Sequence, residues 1–160
     1  MDEQAKSDLL NKLTYGLFVM TADALDDRGA MLVTWVVQAS FDPPLVAVAV
    51  QTGAHTSAVT KRSGTFALNF MADEQRKVAG AFGQEYEKVG DKLQKYPNHP
   101  GPATGSPILD EALGYLECRV RSILETGGDH DIVLGEIIGA QVNRDVPLLT
   151  TASSGMSYAG

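Results

Sequence analysis

Ala30-Met31-Leu32-Val33-Thr34-Trp35-Val36-Val37-Gln38-Ala39-Ser40 runs into Phe41-Asp42-Pro43-Pro44 and out again through Leu45-Val46-Ala47-Val48-Ala49-Val50-Gln51. The first run is rich in β-branched and apolar residues and carries no helix punctuation, so it predicts a strand over Ala30–Ala39, reaching Ser40. Alternate side chains on a strand face opposite ways. Met31, Val33, Trp35, Val37 and Ala39 form one apolar face, while Thr34, Gln38 and Ser40 stand two and four residues apart on the other. A solvated face usually carries Lys or Glu, and this one has only short uncharged donors and acceptors, which suit a flat polar heterocycle. An ordinary antiparallel strand with one wet face gives the same pattern. The Asp42-Pro43-Pro44 corner stops the run rigidly, and Leu45–Val50, apolar on both faces, predicts a central strand.

The remaining pattern is also mostly strand. Tyr15–Ala22, Thr65–Met71, Leu113–Leu124 and Asp131–Val142 read as further strands, separated by turn residues such as Arg62-Ser63-Gly64 and Gly127-Gly128-Asp129. A helix is expected over Asp2–Leu13, capped by Asp2 with Leu9, Leu10 and Leu13 as its apolar stripe, and another over Asp73–Phe82 capped by Asp73. Lys95–Pro107 reads as a surface loop. At least six strands with only short helices predict a mainly β barrel or sandwich. No G-x-G-x-x-G or Walker loop occurs, so a phosphate group would not be held by those devices.

The 160 residues suit one domain over 1–160, large enough to bury roughly two thirds of its unfolded surface without a staple. Thirteen basic and twenty acidic residues give a net charge of −7, which opposes nucleic-acid binding over a wide face. Cys118 is the one cysteine and reads as a core residue. The acidic start is unlike a signal peptide, and Leu45–Val50 is too short to span a bilayer, so a cytoplasmic protein without a membrane is expected. Asp129 and Asp131 beside His130 are too sparse to indicate a metal.

Gln51-Thr52-Gly53-Ala54-His55-Thr56-Ser57 precedes a short helix expected over Ala58–Arg62, capped by Thr56 or Ser57. Free amides at a helix start attract anions, and Lys61 and Arg62 follow within about one turn of the cap. A capped helix whose basic residues only complement its dipole reads equally well from these residues alone.

Leu13–Ala22, Met31–Pro44, Ser63-Gly64-Thr65-Phe66-Ala67-Leu68-Asn69-Phe70 and Gly128-Asp129-His130 together resemble the flavin reductase-like, FMN-binding split-barrel family, in its order and spacing. The resemblance implies a Greek-key split β-barrel, a homodimer, and FMN, with FAD possible, near the subunit interface. It implies that Thr34, Trp35, Val36, Gln38 and Ser40 line the ring and ribityl chain. Thr52, His55, Thr56, Ser57 and Lys61 would meet the phosphate, with Asn69, Phe82 and Gly83 as further contacts. Many members carry serine or threonine where this chain has Trp35 and Val36. His130 is the candidate catalytic residue, placed by the resemblance where it can help seat a nicotinamide, although a hairpin-capping role explains it as well. The activity implied is reduction of flavin by NADH or NADPH, with a monooxygenase or another acceptor as partner. The alternatives are a flavoredoxin-like FMN carrier without its own pyridine-nucleotide site and a split barrel that only binds or dimerises.

Overall fold

The computed structural model describes residues 1–156, and its architecture follows from which strands are apolar on one face and which on two. Nine strands form in this range: β1 (Phe18–Asp23), β2 (Arg28–Val33), β3 (Val36–Ser40), β4 (Leu45–Gln51), β5 (Thr65–Phe70), β6 (Asn98–Pro100), β7 (Pro107–Leu109), β8 (Gly114–Leu124) and β9 (His130–Val142). Seven of them make one antiparallel sheet in the order β2-β1-β5-β8-β9-β4-β3, and β6 pairs with β7. The sheet curls on itself. Phe18 and Met20 of β1, Val33 of β2, Val46, Val48 and Val50 of β4, Phe66 and Leu68 of β5, Cys118 and Val133 all meet in one interior cluster. The molecule is thus a mainly β, Greek-key split barrel, as the strand pattern and the resemblance predicted.

The alternate residues of β1 face outward but not to water. Val19, with Leu17 just before the strand, packs with Met71, Ala79, Phe82, Leu93 and Leu149 in a second cluster beneath the helices. A strand covered on both sides explains why β1 reads as continuously apolar. The helices are α1 (Glu3–Leu10), α2 (His55–Ser63), α3 (Arg76–Phe82), α4 (Tyr86–Val89) and α5 (Thr151–Ser154). Helix α2 lies against β1 and β2, and Gly29 permits the contact, since a Cβ there would stand 2.7 Å from Thr56 Cα.

The decisive stretch departs from its expected form. Ala30–Ser40 is two strands, not one, and they occupy opposite edges of the sheet. The chain breaks at Thr34-Trp35: Val36 N–H donates back to Thr34 O over 3.0 Å, and Ala49 N–H donates to Trp35 O over 3.0 Å. This short crossing spans the split in the barrel. Period-two alternation does not survive it. Thr34 is buried, whereas Gln38 is exposed, Ser40 is half-exposed, and Val37 and Ala39, expected in the core, face out.

Other boundaries also shift. Helix α1 ends at Leu10, capped by Asp2 through Ala5 N–H as expected, but Leu9, Leu10 and Leu13 remain exposed and no residue of α1 is buried. The Asp73–Phe82 segment opens as a 3₁₀ turn, Asp73–Gln75, before α3, and the Gln75 side chain accepts from Ala72 N–H. The expected loop Lys95–Pro107 contains β6 and the start of β7, and Glu117 ties it down. That buried carboxylate accepts from the backbone N–H groups of Ala103 and Thr104 and from the Thr104 hydroxyl. Cys118 is fully buried, and burial pushes its thiol up to about 12.

Candidate functional site

A cleft of about 610 Å³ opens where the barrel is split. Its floor comes from β2, through Ala30 to Val33, and from the crossing residues Thr34 and Trp35. One wall is Ala49 and Gln51 of β4, the loop Thr52-Gly53-Ala54, and His55 and Thr56 at the start of α2, with His130 opening β9 beside them. The opposite wall is Gly80, Phe82, Gly83, Gln84, Glu85, Tyr86 and Glu87, with Lys92 behind them; Thr151 and Met156 also border the cleft. A volume of this size lies within the range of small-molecule and cofactor sites.

Thr34 is the most informative lining residue. Its residue exposure is 8%, and its Oγ1 is buried without a hydrogen-bond partner in the protein. Burying a hydroxyl unpaired costs about 1–3 kcal/mol, and buried polar side chains are normally partnered. A ligand in the cleft would supply the missing partner. Beside it, Trp35 and His130 lie with ring centroids 4.8 Å apart, tilted by 48°. His130 Nδ1 is 2.9 Å from Asp129 Oδ1, and this contact holds the exposed Asp129 carboxyl below the usual carboxylate range.

The start of α2 differs from its expected form. The helix begins at His55, and its cap is Ala54, which has no side-chain oxygen. Thr56 and Ser57 lie within the first turn and are buried, so neither caps it. The amides of this turn therefore have no side-chain cap, a stronger anion feature than the one expected. His55 Nε2 lies 3.0 Å from Asp27 Oδ1 and 3.2 Å from Arg28 O. Arg62 donates to the other oxygen of Asp27, and that hydrogen bond, with His55 adding to it, lowers the Asp27 pKa against partial burial.

Eight of the residues singled out from sequence meet in the cleft: Thr34, Trp35, Thr52, His55, Thr56, Phe82, Gly83 and His130. Six do not line it. Val36, Gln38 and Ser40 were carried away by the break at Trp35 into the edge strand β3. Ser57 faces into the fold. Lys61 stands on the far turn of α2, with its Nζ 3.6 Å from Asp131 Oδ2. Asn69 is wholly buried as a core staple: Nδ2 donates to Val19 O and Thr21 Oγ1, and Oδ1 accepts from Leu109 N–H. That arrangement explains its place in the strand without a ligand.

Sequence reasoning missed Lys92 and Tyr86. Lys92 is buried, with Nζ donating to Phe82 O at 2.8 Å and Gln84 O at 2.6 Å, and burial lowers its pKa. It caps the carbonyl end of α3 and fixes the wall through Gln84. Asp91 caps the turn that carries it, accepting from Leu93 N–H, and that Asp-Lys cap after Gly90 was the available signal. Tyr86 is a lone aromatic in the polar run Gly83-Gln84-Glu85-Tyr86-Glu87-Lys88, and its ring lies flat on His55, 3.6 Å apart and 11° from parallel.

The donor set tests the implied cofactor. A buried hydroxyl lacking a partner, two aromatic pairs in the lining and an uncapped helix start fit a flat heterocycle with an anionic tail, so the residues present fit a flavin nucleotide.

Comparison with known proteins agrees with this chemistry. The model of the family described as Flavin reductase like domain matches residues 10–158. The putative diflavin flavoprotein A 2 of Synechocystis sp. is 34% identical over 150 residues, covering 89% of this chain and 26% of that protein. The chain thus spans about a quarter of the length of the diflavin flavoproteins it matches. Among solved structures it is similar to BorF, the flavin reductase component of a bacterial two-component tryptophan halogenase, at 25% identity and a TM-score of 0.83, covering 96% and 95% of the two chains. It is also similar to the NADH:FAD oxidoreductase SgcE6 of Streptomyces globisporus C-1027, at 27% identity and a TM-score of 0.80, covering 89% and 83%.

Proposed function

The chain belongs to the flavin reductase-like family, and on that premise we propose that it binds FMN or FAD in the cleft and reduces it with NADH or NADPH. The observation that carries this reading is the Thr34 hydroxyl, buried at the cleft floor and left for a ligand to satisfy. A flavin, when bound, would supply the redox chemistry, with the nicotinamide as the source of reducing equivalents. The protein's residues bind, orient and shield. Thr34 hydrogen-bonds a polar edge of the ring, and Trp35 packs beside it. The uncapped first turn of α2, with Thr52 and Thr56, takes the phosphate. Phe82 and Gly83 form the opposite wall, positioned by Lys92 through the Phe82 and Gln84 carbonyls. His130, ring to ring with Trp35, orients the nicotinamide from the mouth of β9.

The acceptor would be a monooxygenase or another protein, by likeness to BorF, the flavin reductase component of a two-component tryptophan halogenase. The working unit is a cytoplasmic homodimer. The leucines of α1 and Val37 and Phe41 around β3 are apolar, exposed and otherwise unexplained, and a second copy would cover them. The direct test of cofactor binding is simple. Purified protein should be yellow or should quench added FMN fluorescence; colourless protein that quenches neither FMN nor FAD would sink the reading.

A further inference from the structure

Two aromatic pairs line the cleft, and the roles above use only one. In the Trp35–His130 pair the rings are tilted, as packed core rings often are. In the other pair His55 and Tyr86 are nearly parallel and in face contact. The two partners are held very differently. His55 is fixed from behind by Asp27 and the Arg28 carbonyl, and Asp27 is itself clamped by Arg62. Tyr86 opens α4, one turn with no buried residue, whose backbone ties are local: Lys88 N–H to Glu85 O and Gly90 N–H to Tyr86 O. Lys92 anchors the wall as far as Gln84, and beyond α4 the chain turns at Gly90, whose φ is +69°. A fixed ring thus faces a ring carried on a lightly held turn, inside the same cleft.

Resting on the flavin reading, we infer that His55 and Tyr86 clamp the adenine ring of a dinucleotide, which enters between them as α4 lifts by one ring thickness. FMN has one ring system, and a cleft lined by two separate aromatic pairs matches a ligand with two. The base is recognised by chemistry as well as shape. Glu85 and Glu87 flank Tyr86 in the same wall, and their carboxylates accept from an exocyclic amino group. The start of α2 supplies positive potential for the phosphates between the rings. The adenine belongs either to FAD or to the nicotinamide donor, and binding measurements separate these sources.

Calorimetric titration of FMN and FAD into wild type, Tyr86→Ala and Tyr86→Phe tests the clamp, together with ADP-ribose titrated into FMN-loaded protein. If the base is that of FAD, Tyr86→Ala weakens FAD about tenfold, the scale of one base stacked on an aromatic ring, and leaves FMN within about twofold. If it is the donor's, FAD follows FMN and ADP-ribose binding weakens about tenfold instead. Tyr86→Phe keeps wild-type affinities in either case. The clamp is overturned if Tyr86→Ala shifts neither the FAD-to-FMN ratio nor ADP-ribose binding, or if it weakens FMN and FAD equally. Wild-type protein that binds neither flavin overturns the cofactor reading instead, and ADP-ribose binding to that protein then decides the clamp alone.

Discussion

Thr34 is a residue whose free-state cost and bound-state use have opposite signs. Without a ligand its buried hydroxyl lacks a partner, and with one it makes a hydrogen bond. Thr34→Val should therefore raise the stability of the cofactor-free protein by about 1 kcal/mol while weakening FMN several-fold. Urea unfolding and FMN titration on the same variant check both signs, and a loss of stability would remove Thr34 from the site. Cys118 offers a second residue-scale expectation. Its pKa near 12, raised by burial, keeps it a neutral thiol at pH 8. Iodoacetamide should leave the native protein unlabelled and label it fully in urea; rapid native labelling would contradict the barrel core. Thr34 was legible as a site candidate because short polar groups stood where charges were expected, and His55 because it stands at a helix start followed by Lys61 and Arg62. Tyr86 and Lys92 were not, since a ring face and two carbonyls are tertiary contacts, and the Asp91-Lys92 cap after Gly90 marks a turn without saying what it faces.

At the scale of elements, the strands declared themselves and the connections did not. Leu45–Gln51 forms where its apolar run put it, but the break at Thr34-Trp35 is silent, because β-branched residues continue on both sides of the crossing. Only the barrel's closure decides that β2 and β3 must part, and that parting removed Val36, Gln38 and Ser40 from the cleft. The loop 101–106 was read as open surface because a carboxylate sixteen residues beyond Gly101 is what pins it. Glu117→Gln puts an amide donor among the N–H groups of Ala103 and Thr104 and should cost about 2–3 kcal/mol in urea unfolding. Gly101→Ala should act through the same contact, since its Cβ would clash with the Glu117 carboxylate. An unchanged unfolding midpoint in both variants would mean that the loop is not held by Glu117. Asp27 links the β1–β2 turn to α2. Because Arg62 and His55 depress its pKa below 3.8, the linkage adds stability above about pH 4 and loses it as the pH falls through the lowered value. The stability gap between wild type and Asp27→Asn should therefore close in acid; a gap that widens there would reverse the assignment.

For the whole molecule, the mainly β pattern, the split barrel and the family were all within reach of the sequence, because strand alternation, rigid corners and the Gly-Asp-His hairpin are local signals. The path of the cleft depends on how the sheet curls, which is not local. Assembly belongs to this scale too. Light scattering should give a dimer for the wild type and a monomer for Phe41→Glu, which places a charge where an apolar face is exposed; a monomeric wild type would leave that face without its proposed role. The central claim is that the cleft brings a nicotinamide donor to a bound flavin. Stopped-flow mixing of the flavin-loaded protein with NADH, and separately with NADPH, measures this directly at the flavin absorption maximum. Rapid bleaching with at least one donor is expected. A flavin that stays oxidised with both would contradict it and leave an electron carrier in its place.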